Sequence, residues 1–245
     1  MQKTSLKILY TRELSSYFNT PIGYVFAITC LFFNFLFFFL GVFDLVPGFW
    51  DARVATIRSY MNLLPVTFIL MVPAVSMRIW AEERKNGTLE LLATLPFRDT
   101  DLVFAKFFAA WTFVGGLVIA SLPLAFSIWW IGDLDWGTSL ALYFGSILMA
   151  GAYVAVGMVI SALTKEQIVA FILIFFASLF MFLSNYFIIH QHMSPAVARA
   201  VGFFSLSYHF ASFSRGLLDF GDIIYYSSFI GLLLFINILI LRRER

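Results

Sequence analysis

The sequence predicts an all-α polytopic membrane protein, and three observations carry that prediction. Of 245 residues, 61% are hydrophobic and only 12% charged, with a mean hydropathy of +0.90, a balance outside the range of soluble domains. Apolar runs of roughly 20 residues, enough to cross about 30 Å of hydrocarbon as a helix, recur at 22–43, 60–80, 101–131, 138–163, 167–190 and 223–241. Basic residues are divided unequally between alternate loops. With a cytoplasmic N-terminus, Lys3, Lys7, Arg12, Arg78, Arg84, Lys85, Arg98, Lys106, Lys165, Arg242, Arg243 and Arg245 lie inside, against Arg53, Arg58, Arg199 and Arg215 outside. The positive-inside rule then places both termini in the cytoplasm, in agreement with an even number of spans. The whole of 1–245 reads as one transmembrane domain.

The same composition excludes other classes. A net charge of +2 with no basic stripe interleaved with aromatics gives no surface for nucleic acid. The single cysteine, Cys30, lies in an apolar run, so one copy of the chain has neither a disulfide framework nor a cysteine metal site. The run at 22–43 is too long for a signal-peptide core and lacks a cleavage site, and reads as a retained first span.

In chain order, residues 1–20 form an amphipathic segment. At helical spacing Leu6, Leu9, Tyr10, Leu14 and Tyr17 share one face and Lys7, Thr11 and Ser15 another, which suits a helix at the headgroup level. Glu13 sits near the apolar face, either snorkelling to water or paired with Arg78, Arg84 or Lys85. In the second span Pro65 and Pro73, and in the third Pro123, predict kinks rather than ends. The third span is longer than needed, so its first turns, with Lys106, are expected to stand in the cytosol. The fourth carries small residues four apart, Ser146 and Ala150, Gly151 and Ala155, Gly157 and Ser161, which permit close backbone approach within the bundle. The phenylalanine-rich first and fifth spans are expected to face lipid. Asn34, Asn185 and Asn237 are expected to hydrogen-bond neighbouring helices, with a substrate path as the alternative.

The outer loops at 44–59 and 132–137 show no catalytic spacing. The segment 191–222 is too polar for a span, yet Phe203, Leu206, Phe210, Phe213 and Leu217 recur at helical spacing. It is expected to dip into the outer leaflet as one or two short re-entrant helices. Reactive groups are sparse. There is no GxxxxGK[ST] and no HExxH. The histidines, His190, His192 and His209, lie on the outer side; His190 and His192 have no carboxylate near in sequence and are expected in a solvated loop. Ser212 and Ser214 near His209 make no triad by proximity alone. No span carries paired acids or a cysteine–histidine set, which leaves a membrane-embedded enzyme poorly supported.

The long charged interruption runs from Arg78 to Phe97, RIWAEERKNGTLELLATLPF. Asn86-Gly87 is a turn signal, Thr88 a candidate N-cap, Glu90 is favourable in a first turn and Pro96 a stop, so a short helix with Leu89, Leu92 and Leu95 is predicted between spans two and three. It either lies on the inner leaflet or projects for a soluble partner.

EERKNGTLELLATLPF resembles the coupling-helix signature of ABC-2-type permeases, roughly EE-[RK]-x-x-G-[ST]-x-E-x-L-x-[ST]-x-P. RELSSYFNTPIGYVF near the start and SLSYHFASFSRGLLDFGDIIYY before the last span are similar to the branch with the gliding-motility-type and copper-maturation-type permeases. The resemblance implies an amphipathic connecting helix at 1–20, a cytoplasmic coupling helix at 82–97 that docks in a separate ATPase subunit, and a re-entrant outer pair at 191–222. It assigns the coupling positions to Glu82, Glu83, Arg84, Gly87, Thr88, Glu90 and Pro96, with Phe97 bulkier than the usual Val. It also implies a multi-pass protein of the bacterial cytoplasmic membrane, paired with a second permease subunit, identical or related, and with two ATPase copies. An auxiliary membrane protein with a large outer domain is a further expected partner. ATP and Mg would reside in the ATPase, with no cofactor and no catalytic residue in this chain. Export of a substrate is the implied function; transmission of ATP-driven movement to an extracytoplasmic partner is the alternative.

Overall fold

Proline and aspartate mark several of the helix starts. The computed structural model describes residues 2–41, 48–52, 54–89, 98–190, 202–203 and 205–243. Helix α1 (Gln2–Asn19) is followed by α2 (Pro21–Leu40), with Pro21 in the first turn, where a missing N–H costs no helical bond. After a short α3 (Phe49–Ala52), α4 (Arg58–Ser76) runs through Pro65 and Pro73 and continues, past one turn residue at Met77, as α5 (Arg78–Lys85). Next come α6 (Asp99–Ile119) and α7 (Leu122–Ile131). The long α8 (Trp136–Leu163) starts at Asp135, whose side chain accepts from Gly137 N and Thr138 N. Bonds from the Thr138 hydroxyl and amide and from Gly137 hold the Asp135 carboxyl below its ordinary range. Helix α9 (Gln167–His190), the short α10 (Leu206–Ser214) and α11 (Phe220–Arg242), capped by Asp219, complete the order. Six helical stretches are long and apolar enough to cross a membrane, α4–α5 and α6–α7 each forming one. Among the described residues there is no strand.

Helix α8 is the centre. Of its most apolar stretch 72% is buried, against 11% for the first span and 22% for the fifth. In lipid, burying an apolar side chain against another gains little over leaving it in hydrocarbon, so close packing decides which helix sits inside. The small residues supply it: a Cβ on Gly145 would meet the Phe213 ring 2.5 Å away, and Ser146, Ala150, Gly151, Ala155, Gly157 and Ser161 are all buried. Phe-rich α2 and α9 present Ile28, Phe32, Phe33, Phe176 and Phe180 outward, as expected. Asn34 donates to the Cys30 carbonyl at 2.8 Å and accepts from Thr67 of α4 at 2.9 Å, the neighbouring-helix bond its position predicted. Asn237 is buried with no hydrogen bond to either side-chain polar atom among the described residues, so the neighbouring-helix bond expected of it is not made, and the Asn185 side chain lies outside the described residues.

Neither Pro65 nor Pro73 ends α4, as expected, and the helix gives way to α5 only at Met77, where Ser161 of α8 intervenes. Other expectations are corrected. In the third span the helix ends before Pro123, because proline is suited to a first turn. Ser121 fills that break, donating to Val118 O at 2.7 Å and hydrogen-bonding the Tyr143 hydroxyl at 3.0 Å. Arg78–Lys85, expected in the charged interruption, prolongs the second span as helix with Ile79, Trp80 and Ala81 buried.

At the N-terminus Leu9 is buried and Tyr10, Leu14 and Tyr17 pack on the core, while Lys7 and Thr11 are exposed, the predicted division of faces. On α10 Leu206, Phe210 and Phe213 are buried as predicted. Phe203 and Leu217 are exposed, the latter because the chain turns at Gly216 (φ +78°) and leaves the helical register. Residues 191–201 and 204 of the expected outer pair lie outside the described residues.

Candidate functional site: the basic end of the bundle

The end of the bundle that carries most of the lysines and arginines is built around the root of α5. Where α4 gives way to α5 at Met77, the Ser161 hydroxyl of α8 accepts from Trp80 N at 3.1 Å and Ala81 N at 3.2 Å and donates to Met77 O at 3.1 Å. One donor and two acceptor sites are all a hydroxyl has, so Ser161 satisfies the joint completely. A Cβ on Gly157 would sit 2.1 Å from Ser76 Oγ, so the glycine is what lets α8 approach this joint. The root of α5 is therefore fixed to the central helix.

Below the joint lies a charge cluster. Lys106 of α6 is 4% exposed. Its Nζ donates to Glu83 Oε1 of α5 at 2.8 Å and Glu13 Oε2 of α1 at 3.3 Å, and lies 5.1 Å from the Trp80 ring centroid. Arg12 reaches the other Glu13 oxygen at 3.4 Å from a largely exposed position. A buried ammonium is tolerable only with close anionic partners and further hydrogen bonds, and two carboxylates and an aromatic face supply them. One expectation fails here: Glu13 pairs with Lys106 and Arg12, not with Arg78, Arg84 or Lys85. Lys106 itself is buried within the protein. Arg78 is committed to Glu82 one turn along α5, at 3.0 Å, and Lys85 to Glu166 at 2.9 Å in an exposed pair.

The seven candidate coupling residues divide accordingly. Glu82 and Glu83 are on α5 and engaged as described. Arg84 is half-buried, and its carbonyl accepts from Gly87 N at 3.2 Å. Gly87 adopts φ +67°, a conformation that favours glycine, and closes α5. Thr88 is not an N-cap: residues 88–89 are helical, and its hydroxyl donates back to Glu83 O at 3.2 Å. The turn at Gly87 carries that hydroxyl onto an unpaired carbonyl in the last turn of α5. Glu90 and Pro96, with the rest of 90–97, lie outside the described residues. Lys106, Glu13, Trp80 and Ser161 were not among the sequence-derived site residues. Their only sequence signal is a lysine and a glutamate each placed on an otherwise apolar face.

At the opposite end, His209 Nδ1 is 2.7 Å from Asp222 Oδ1, and the His209 ring stacks on Tyr225 with centroids 3.7 Å apart. His209 is thus bound between α10 and α11. Ser214 accepts from Arg58 Nε at 3.1 Å and donates to Asn62 Oδ1 at 3.0 Å, a structural use that leaves no serine on His209. The His190 side chain and His192 lie outside the described residues. Among the described residues no three His, Cys, Asp or Glu side chains gather in a way that could hold a metal ion.

Six apolar helical stretches, one of them the small-residue helix α8 at the centre of the other five, with a charged helical extension at one end, fit a multi-pass membrane protein. The family model described as ABC-2 family transporter protein matches residues 51–241. The chain belongs to that family, whose permeases are generally non-catalytic and generally work with ABC ATPases. No curated protein matches the chain.

Proposed function

We propose that this chain is the permease subunit of an ATP-binding cassette transporter. In this reading it couples ATP hydrolysis by two separate ATPase subunits to export of a substrate across the bacterial cytoplasmic membrane. The observation that carries the reading is the extension of the second span into α5: its root is held by Ser161 and Lys106, and its tip at Lys85, Asn86 and Gly87 is exposed. A lever needs a stiff arm, a fixed root and an accessible tip: α5 supplies the arm and the root, and its tip is exposed, tied by the exposed Lys85–Glu166 pair. Glu82, Glu83, Arg84, Gly87, Thr88, Glu90 and Pro96 are the coupling positions, and the basic end faces the cytoplasm with both termini. ATP and Mg belong to the ATPase.

A pathway requires a second permease subunit, the same or related. The cavity lined by Cys30, Asn34, Tyr60, Thr67 and Val118 holds about 10 Å³, room for roughly one water. A route for substrate therefore forms between subunits, with ATP-driven closure biasing the pair between two arrangements.

A second reading has its own observation. Helix α10 is fastened to α4 through Ser214, to α11 through His209–Asp222 and to α9 through Ser205, whose hydroxyl donates to Met181 O at 3.3 Å. An outer surface so firmly joined to the bundle suits transmission of movement to an extracytoplasmic partner, as in a gliding-type assembly. Affinity capture of the tagged chain in mild detergent, followed by mass spectrometry, separates the readings. An ATPase alone supports the exporter. An ATPase with a second membrane protein bearing a large outer domain supports the transmitter. Capture without any ATPase overturns both.

A further inference from the structure

Three helices remote in sequence meet at one ammonium group. Glu13 belongs to α1, Glu83 to α5 and Lys106 to α6; the two carboxylates have no bond to each other, and Lys106 is the one cation they share, Glu13 having Arg12 of its own helix as well. We propose that Lys106 is a positioning residue that makes α1 and α5 move as one body. Displacement of the Gly87 end of α5 by the ATPase is then passed to the amphipathic helix at the membrane surface. This rests on the permease reading for its driving force.

The argument is electrostatic. Lys106 is 4% exposed, and water does not reach the cluster freely enough to replace a lost partner. If α5 tilted while α1 stayed, either Glu83 or Glu13 would leave the ammonium, stranding a poorly hydrated charge. The movement that keeps both bonds is the joint one. Elsewhere α1 is held by contacts that tolerate sliding better: Tyr10 donates to Thr112 at 3.1 Å, Tyr17 reaches Val75 O at 3.5 Å, and the Tyr17 ring stacks on Phe113. Neutral bonds of this kind reform with water or a neighbouring hydroxyl, whereas the buried charge has no other partner to take. Trp80, fully buried on α5 and facing the same ammonium, holds Lys106 to α5 a second time.

Hydrogen exchange on the full chain in lipid nanodiscs tests the link without the ATPase. Glu83→Gln, whose side chain is ion-paired to Lys106 and to no residue of α1, should raise amide exchange over residues 6–19 at least threefold in the wild-type background and leave it unchanged in a Lys106→Gln background. Unchanged exchange in the wild-type background overturns the inference. The captured complex with its ATPase gives the second readout. A non-hydrolysable ATP analogue should alter exchange over both 6–19 and 78–89 in the wild type. In the neutral triple variant Glu13→Gln/Glu83→Gln/Lys106→Gln, which strands no charge, it should alter only 78–89. A merely structural cluster would leave the nucleotide response of 6–19 intact in the triple variant, and that result overturns the inference while the permease reading stands. A wild-type chain that captures no ATPase overturns the permease reading, and the Glu83→Gln exchange result still decides whether the link exists.

Discussion

The two ends of the bundle each fasten a short or peripheral helix, and they do so with different chemistry. At the basic end α1 and α5 meet on a buried lysine shared by carboxylates from both. At the opposite end α10 is held by bonds that each join two elements: Ser214 with Arg58 and Asn62, the Tyr226 hydroxyl donating to Leu206 O at 2.7 Å, and His209 with Asp222. Losing one of the latter loosens one joint. Losing Lys106 leaves two acids without their cation in a site made to exclude water. The comparison teaches that the basic end is cooperative and the opposite end modular, the arrangement expected if one end receives a force and the other holds a surface in place.

The comparison is broken most readily by its largest expected effect. Lys106→Ala should destabilise the bundle by about 3–5 kcal/mol, the range for removing one partner of a buried pair, read as a fall in thermal midpoint of the detergent-purified chain. Next is Gly145→Ala, whose new methyl would meet the Phe213 ring at 2.5 Å. Over-packing there should cost about 1–3 kcal/mol and raise exchange over 206–214 while leaving 6–19 protected. Ser214→Ala removes two hydrogen bonds to α4, one of them from the Arg58 cation, and should cost about 1–2 kcal/mol, with increased exchange confined to α10. Smallest is Lys85→Ala: its pair with Glu166 is more than half exposed, and the midpoint should move by no more than the ~0.5 kcal/mol usual for such pairs. If Lys106→Ala costs no more than Ser214→Ala, the distinction between the ends is wrong.

Much of the fold was legible because membrane insertion leaves a coarse, strong pattern. The fifth span at 167–190 coincides with α9, and the fourth is displaced by only two residues at its start, because Asp135 marks it as an N-cap. The small residues of α8 announced the central helix, since only backbone proximity makes use of them. What was not legible depended on partners in other helices. RIWAEERK reads as a charged interruption until Ser161 is seen to satisfy its first amides, and Lys106 reads as exposed until Glu13 and Glu83 arrive from different helices. The partner of His209 was not legible for the same reason, since Asp222 lies beyond a turn at Gly216. Thr88 has the right residue type for an N-cap, but the glycine turn before it redirects its hydroxyl to α5.

The most direct test of the coupling role is ATPase retention by Gly87→Val. Nothing lies within 4 Å of the position a Cβ would take, so the substitution strains only the φ +67° joint between α5 and the loop, at a cost of about 1–2 kcal/mol. The account predicts that the variant melts within a few degrees of the wild type and, captured from mild detergent, retains less than a tenth of the ATPase that the wild-type chain brings down. Wild-type retention by Gly87→Val would contradict the assignment of 82–97 as the segment that meets the ATPase.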